Sequence, residues 1–288
     1  MLERMPGASV RAARTKRSCY LLHLAVTLFN AFLNLSESTL GPNYSSMNAI
    51  SPGVAVIAGV GPGLGASLAR RIAKEGCRLA LLARSSDFLE TLSKELRRRG
   101  TETLSIPTDI AEADQVTGAF QRIREQLGSV DLLINNASES GPFGQPFVEI
   151  SAENFAHSWR VGVLGSFLCS QAVVPEMLQK GAGCILFTGA TSSVRGGAIT
   201  FSSAKFAMRG LAQALAKELW PKGIHVAHII IDGVIGENEL EPGNEDQTTE
   251  PLMNPAAIAE AYWGLVTQDR SAWSLELDLR PYREKFFE

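Results

Sequence analysis

Five residues, Phe201-Ser202-Ser203-Ala204-Lys205, place an amine four positions after a benzyl ring. A lysine ammonium has three donors and a titratable proton, whereas a phenylalanine ring can neither give nor take one. A proton delivered from the ring's position must come from another group. The hydroxyls of Thr191, Ser192 and Ser193 and the carboxylate of Asp232 are the polar candidates. Ser192 is read either as a substrate contact or as a loop hydroxyl. Asp232, at the end of an apolar run, is read either as an acid or base, if desolvated, or as a turn cap. His225 and His228 alternate along that run and are read as packing residues, as is His157. Tyr262 is expected to lie too far away to supply a phenol.

A second group with chemical meaning is Ala58-Gly59-Val60-Gly61-Pro62-Gly63-Leu64-Gly65, between an apolar run and a helical pattern. Gly59 permits a tight turn, Gly63 lets backbone N–H groups approach a pyrophosphate, and Gly65 lets the helix pack closely on the strand. The alternative is a strand–helix turn with no ligand. Its place at the start of a βαβ unit favours nucleotide binding.

These residues require an alternating scaffold. Short Val/Ile/Leu-rich runs predict strands over 54–59, 78–84, 102–109, 130–137, 184–190, 225–232 and 274–280. Helical patterns fall over 64–75, 88–99, 112–127, 152–180 (with a break at Pro175), 203–220 and 256–267. The expectation is a single α/β domain with a doubly wound, parallel, seven-stranded sheet. Residues 233–254, rich in Glu, Gly, Asn and Pro, read as a mobile loop over the carboxyl ends of the strands.

The spacing G-x-x-x-G-x-G resembles that of the short-chain dehydrogenase/reductase family, and three further signals agree. Asp109-Ile110 ends the third strand, Asn135-Asn136-Ala137 ends the fourth, and Phe206-Ala207-Met208-Arg209-Gly210-Leu211 continues the pentapeptide. The likeness spans roughly residues 50 to 282. It implies a nicotinamide dinucleotide held by Gly59, Gly63, Leu64, Gly65, Asp109, Ile110, Asn136, Ala137 and Lys205. The second strand ends Leu82-Ala83-Arg84-Ser85-Ser86 without a carboxylate, so Arg84 leans the choice toward NADP, with NAD as the alternative. The family's catalytic positions are altered. Phe201 stands at the tyrosine and Gly162 at the helix asparagine. The serine falls on Thr188 by spacing or on Ala190 by strand end. Asp232-Gly233 replaces a Pro-Gly pair.

The 288 residues carry 27 basic and 30 acidic side chains with no basic stripe in the body, which argues against nucleic acid and for a small-molecule partner. Cys19, Cys77, Cys169 and Cys184 have neither disulfide nor metal-ligand spacing, so no metal is indicated and a reducing, cytoplasmic setting is expected. Residues 1–47 form an extension before the domain at 48–288. Arg4, Arg11, Arg14, Lys16 and Arg17 precede an apolar run over 20–35 that is read as a targeting segment, a weak anchor or an upstream extension of no structural value. No stable membrane association is expected of the folded domain, and the resemblance implies a homo-oligomer.

Two functions follow as expectations. One is an NAD(P)(H)-dependent oxidoreductase acting on a carbonyl, an alcohol or an activated alkene, with Lys205, Ser192 and Asp232 as catalytic residues and an unusual proton donor. The other is a non-catalytic NADP(H)-binding regulator or inactive subunit.

Overall fold

The computed structural model describes residues 53–139, 144–236 and 251–283. The expected N-terminal extension and Cys19 lie outside them. Seven strands form one parallel sheet: β1 (Val54–Ala58), β2 (Arg78–Ala83), β3 (Thr103–Pro107), β4 (Val130–Asn135), β5 (Gly183–Thr188), β6 (Ile224–Ile231) and β9 (Glu276–Leu279). Their order is β3-β2-β1-β4-β5-β6-β9. The chain leaves β1 toward β2 and β3, then returns to the other side of β1 to lay down β4. That reversal opens a crevice at the carboxyl ends of β1 and β4, where open α/β sheets bind ligands.

Every residue of β1 and of β6 is buried. Alternation along each strand divides the core in two. Ala55 and Ile57 face α1 (Leu64–Lys74), α2 (Ser86–Arg98) and α7 (Pro255–Val266). Val54, Val56 and Ala58 face α3 (Ala113–Gln126), α5 (Gly165–Lys180) and α6 (Ile199–Leu219). Cys77, Cys169 and Cys184 are free and buried, and burial pushes the Cys169 thiol up to about 12. By length and composition alone the run Ala152–Lys180 could cross a membrane. Its Cys169, Val173 and Met177 are packed into the core under the sheet.

Two helix boundaries differ from expectation. The 152–180 pattern does not break at Pro175, which sits inside α5. The interruption comes earlier, in one π-helical turn over Arg160–Leu164 that joins α4 (Ala152–Trp159) to α5. There the helix closes on the strand ends: a Cβ on Gly165 would stand 2.7 Å from the Ile110 side chain. Helix α6 starts at Ile199 rather than at Ser203. Ser202 bonds back to the Ala198 carbonyl and also accepts from the Gly197 N–H at 2.9 Å, so the first turn closes ahead of the expected cap. Phe201 and Lys205 therefore share one helical face, four residues apart.

The ends of the 233–254 loop are tied by a parallel pair absent from the sequence reading, β7 (Val234–Ile235) with β8 (Leu252–Met253). The stretch 237–250, which carries most of the expected mobile loop, lies outside the described residues.

Candidate active site

A cleft of about 590 Å³ opens at the carboxyl ends of the strands and runs from the glycine turn to Lys205. Gly59 has φ +101, and a Cβ there would stand 2.3 Å from the Ala137 nitrogen, so only glycine allows the ends of β1 and β4 to approach so closely. The amides of Asn136 and Ala137 both donate to the Ala58 carbonyl at 2.8 Å, and Asn136 Nδ2 donates to the Gly59 carbonyl at 2.7 Å. Gly65 presses α1 against this turn, for a Cβ would lie 2.8 Å from Val60 Cα. Gly61 faces open space. The turn thus brings backbone at Gly59, Gly61, Gly63 and Gly65 to the cleft at the start of α1, with Val60 and Leu64 beside it.

Along the adjoining rim, Asp109 and Ile110 line the cleft. The Asp109 carboxylate accepts from the Ala111 amide at 3.0 Å, which fixes the turn after β3. Arg84 projects from the end of β2 with 62% of its side chain exposed, 3.4 Å from Glu139. Ser85 and Ser86 follow it, and the nearest acid along the chain, Asp87, lies inside α2.

The other end of the cleft is lined by Val161, Thr188, Gly189, Ala190, Phe201, Lys205 and Ile231. Lys205 is 4% exposed. Its Nζ donates to the Thr188 carbonyl at 2.6 Å and lies 5.3 Å from the centre of the Phe201 ring. No carboxylate pairs with it among the described residues. Burial without a counter-ion pushes this ammonium down to about 7.

Thr188 is held by residues from two other elements. Its hydroxyl donates to Asn136 Oδ1 at 3.0 Å, which leaves it as acceptor for the Tyr262 hydroxyl at 2.8 Å. Helix α7 brings Tyr262 beneath the strand ends, fully buried, its pKa raised by burial. It does not line the cleft; it positions Thr188, whose carbonyl holds Lys205. Sequence offered no signal for this, because the pair is 74 positions apart.

The expected polar candidates sit next to residues of the cleft wall without being among them. Ser192 is half-buried on the turn Thr191–Ser193 and is not among the cleft-lining residues. Ser193 accepts from the Ala190 amide at 3.1 Å, and Thr191 donates to the Asp232 carboxylate. Asp232, 6% exposed, is clamped by Arg195 at 3.1 Å and Arg280 at 2.5 Å and is likewise absent from the lining. Of the two positions for the serine, Thr188 ends β5 with its hydroxyl turned toward Tyr262 and Asn136, and Ala190 follows two residues on; both line the cleft. Gly162 is buried in the π-helical turn.

His225 and His228 are buried on β6. His225 stacks on Trp273 with ring centres 4.8 Å apart and bonds the Ser274 carbonyl at 2.9 Å. His228 is fully buried behind Gly189, and burial pushes it down to about 4. His157 stands 3.9 Å from Glu139.

A family profile described as short chain dehydrogenase matches residues 53–240. Among curated proteins, a 3-oxoacyl-[acyl-carrier-protein] reductase FabG of Staphylococcus epidermidis is 28% identical over 203 residues, covering 69% of this chain and 82% of its own length. A crystal structure of a short-chain dehydrogenase from Rhodopseudomonas palustris is 33% identical with TM-score 0.69, covering 80% of this chain and 99% of that one. The alcohol dehydrogenase of Thermococcus sibiricus, complexed with 5-hydroxy-NADP, is 28% identical with TM-score 0.71, covering 81% and 98%. With the profile spanning well over half of its residues and the same sheet, glycine turn and strand ends on view, this chain belongs to the short chain dehydrogenase family.

Proposed function

We propose that this protein is an NADP(H)-dependent oxidoreductase that reduces a small carbonyl compound or an activated alkene. The observation that carries the reading is the cleft: backbone-lined at one end, guanidinium-rimmed in the middle and closed by Lys205 at the other. Its volume of about 590 Å³ lies within the range of cofactor sites, roughly 300–1,000 Å³. The open space above Gly61 fits a pyrophosphate group.

The N–H groups of Gly63, Leu64 and Gly65 would hold the pyrophosphate, with Gly59 shaping the turn. Asp109 and Ile110 would meet the adenine, and Arg84 with Ser85 and Ser86 a 2′-phosphate. Asn136 and Ala137 would border the central ribose path, and Lys205 would grip the nicotinamide ribose. The cofactor supplies hydride when bound. The chain's own work is to hold it, orient the acceptor between Ala190, Phe201 and Ile231, and exclude water with apolar walls. Of the expected catalytic residues, Lys205 alone lines the cleft, and Asp232 beside it is held by Thr191, Arg195 and Arg280.

The second reading, a dinucleotide-binding subunit without catalysis, draws on Gly162, Ala190 and Phe201, none of which carries a transferable side-chain proton. Binding and turnover separate the two. NADPH titration followed by fluorescence, then a panel of ketones, β-keto esters, quinones and enones, tests both. Tight binding with no turnover on any acceptor would favour the subunit. The exposed aromatics Phe155, Trp159, Phe167 and Phe206 on α4, α5 and α6 support homo-oligomer formation as part of the same proposal.

A further inference from the structure

Two groups lining the inner end of the cleft, the ring of Phe201 and the methyl of Ala190, carry no transferable side-chain proton, and neither does Gly162, buried next to Val161 in the π-helical turn. Reduction of a carbonyl nevertheless leaves negative charge on oxygen that must be protonated. Thr188 cannot serve directly, because its hydroxyl proton is engaged by Asn136 and its oxygen by Tyr262. Asp232 is occupied by Thr191, Arg195 and Arg280. The titratable group left on the cleft wall at this end is Lys205.

We propose that the Lys205 ammonium is itself the proton donor of the reduction, a catalytic role that Phe201 makes necessary by removing the phenol and makes chemically accessible by walling the amine with hydrocarbon. This inference rests on the nicotinamide reading of the cleft. Geometry supports it. Thr188 is the one hydrogen-bond acceptor of Nζ among the described residues, so two of its three N–H bonds remain for a ligand. No carboxylate holds the proton in place. The ionisable groups behind it are His228 on β6, with Glu276 of β9 on the far side of that ring at 3.7 Å and paired with Arg209 of α6, and Tyr262 on α7 behind Thr188. His228 is held neutral near neutral pH and Tyr262 is held protonated, so neither puts a negative charge beside the amine.

The step balances. The acceptor carbon gains two electrons and a hydrogen from the reduced nicotinamide, which is oxidised, and the carbon–oxygen π bond breaks. The oxygen takes a proton from Nζ, directly or through a bridging hydroxyl. One N–H bond breaks, one O–H bond forms, and the electron pair stays on nitrogen as the neutral amine. Solvent returns the proton before the next cycle. Burial suits the amine to both halves, since its ammonium lies at about 7 rather than in the ordinary lysine range.

The test has two measurements on the full chain. In the first, without cofactor, Lys205 is labelled with acetic anhydride between about pH 5 and about pH 9 and read by peptide mass spectrometry against surface lysines. The expected result is a labelling midpoint for Lys205 near 7, well below that of the surface lysines, with protection by NADPH. A midpoint in the surface range overturns the proposal. In the second, kcat for NADPH-driven reduction of the best acceptor is measured across the same range. The account expects kcat to fall about tenfold per pH unit above the midpoint, a limb that F201Y shifts upward as a phenol takes over. K205R, protonated throughout, should bind NADPH yet lose at least about 100-fold in kcat. Turnover with kcat flat across the range, or full rescue by arginine, overturns the proposal and leaves the nicotinamide reading standing. Failure of NADPH to bind overturns the reading and the proposal with it, and binding without turnover on any carbonyl overturns the proposal.

Discussion

The Lys205 Nζ lies 5.3 Å from the centre of the Phe201 ring, within one turn of the same helix. Ring and amine lie close enough for a cation–π contact, and the ring keeps water from the ammonium. The same four-residue spacing that would let a lysine activate a phenol lets a hydrocarbon desolvate the lysine. Much of the site's chemistry follows from that exchange.

Restoring the phenol is the sharpest chemical change. Phe201→Tyr should raise kcat/KM for simple ketones with NADPH chiefly above about pH 7, where the Lys205 ammonium has given up its proton and a phenol has not. No gain would mean that Ala190, Gly162 and the following loop have diverged too far for a tyrosine to act.

Arg84 sets the expected preference for a 2′-phosphate. Arg84→Asp should weaken NADPH binding by about tenfold while sparing or improving NADH, since a charged hydrogen bond contributes about 1.5–3 kcal/mol and this side chain is largely exposed. Equal loss for both cofactors, measured by fluorescence titration, would count against the assignment.

Thr188 is fastened by Tyr262 from behind. Tyr262→Phe removes one buried hydrogen bond and should cost about 1 kcal/mol in urea unfolding. Thr188→Val also strands the Tyr262 hydroxyl and Asn136 Oδ1, so it should cost more, about 1–3 kcal/mol. The reverse order would show that the Tyr262 hydroxyl contributes through a partner other than Thr188.

His228 makes stability depend on acid. Its folded pKa, pushed down to about 4 by burial, lies below the usual histidine value, so the unfolded chain binds its proton more readily. Stability is then full above about pH 6.5 and is lost as pH falls toward 4, by up to about 3 kcal/mol. His225, lowered by burial as well, adds to the loss in the same window, whereas the lowered Glu276 adds its own only below the ordinary carboxylate range. Urea midpoints between pH 4.5 and 6.5 should flatten in His228→Gln. Behind this ring Gly189 leaves no space: a Cβ would lie 2.2 Å from His228 Nε2, so Gly189→Ala should cost about 1–3 kcal/mol.

The sheet was legible because buried parallel strands read as unbroken Val/Ile/Leu runs, and all seven fell where those runs lie. Gly59 and Gly65 were legible because close backbone approach admits no side chain. Other features had no local signal. The π-helical turn at Arg160–Leu164 answers to Ile110 across the fold, and Pro175 was the more conspicuous breaker in the sequence. The clamp on Asp232 joins Arg195 and Arg280 from distant segments, and Tyr262 reaches Thr188 across 74 positions. A lone carboxylate or phenol in a sequence does not disclose what holds it.

A crystal structure with NADP⁺ bound tests the account most directly. The account predicts pyrophosphate over Gly61 and Gly63, a 2′-phosphate against Arg84, and Lys205 Nζ as the one ionisable side chain within hydrogen-bonding reach of the nicotinamide ribose and the acceptor site beside Phe201. A cofactor held elsewhere, or one whose nicotinamide faces Ser192 or Asp232 with Lys205 out of reach, would contradict it.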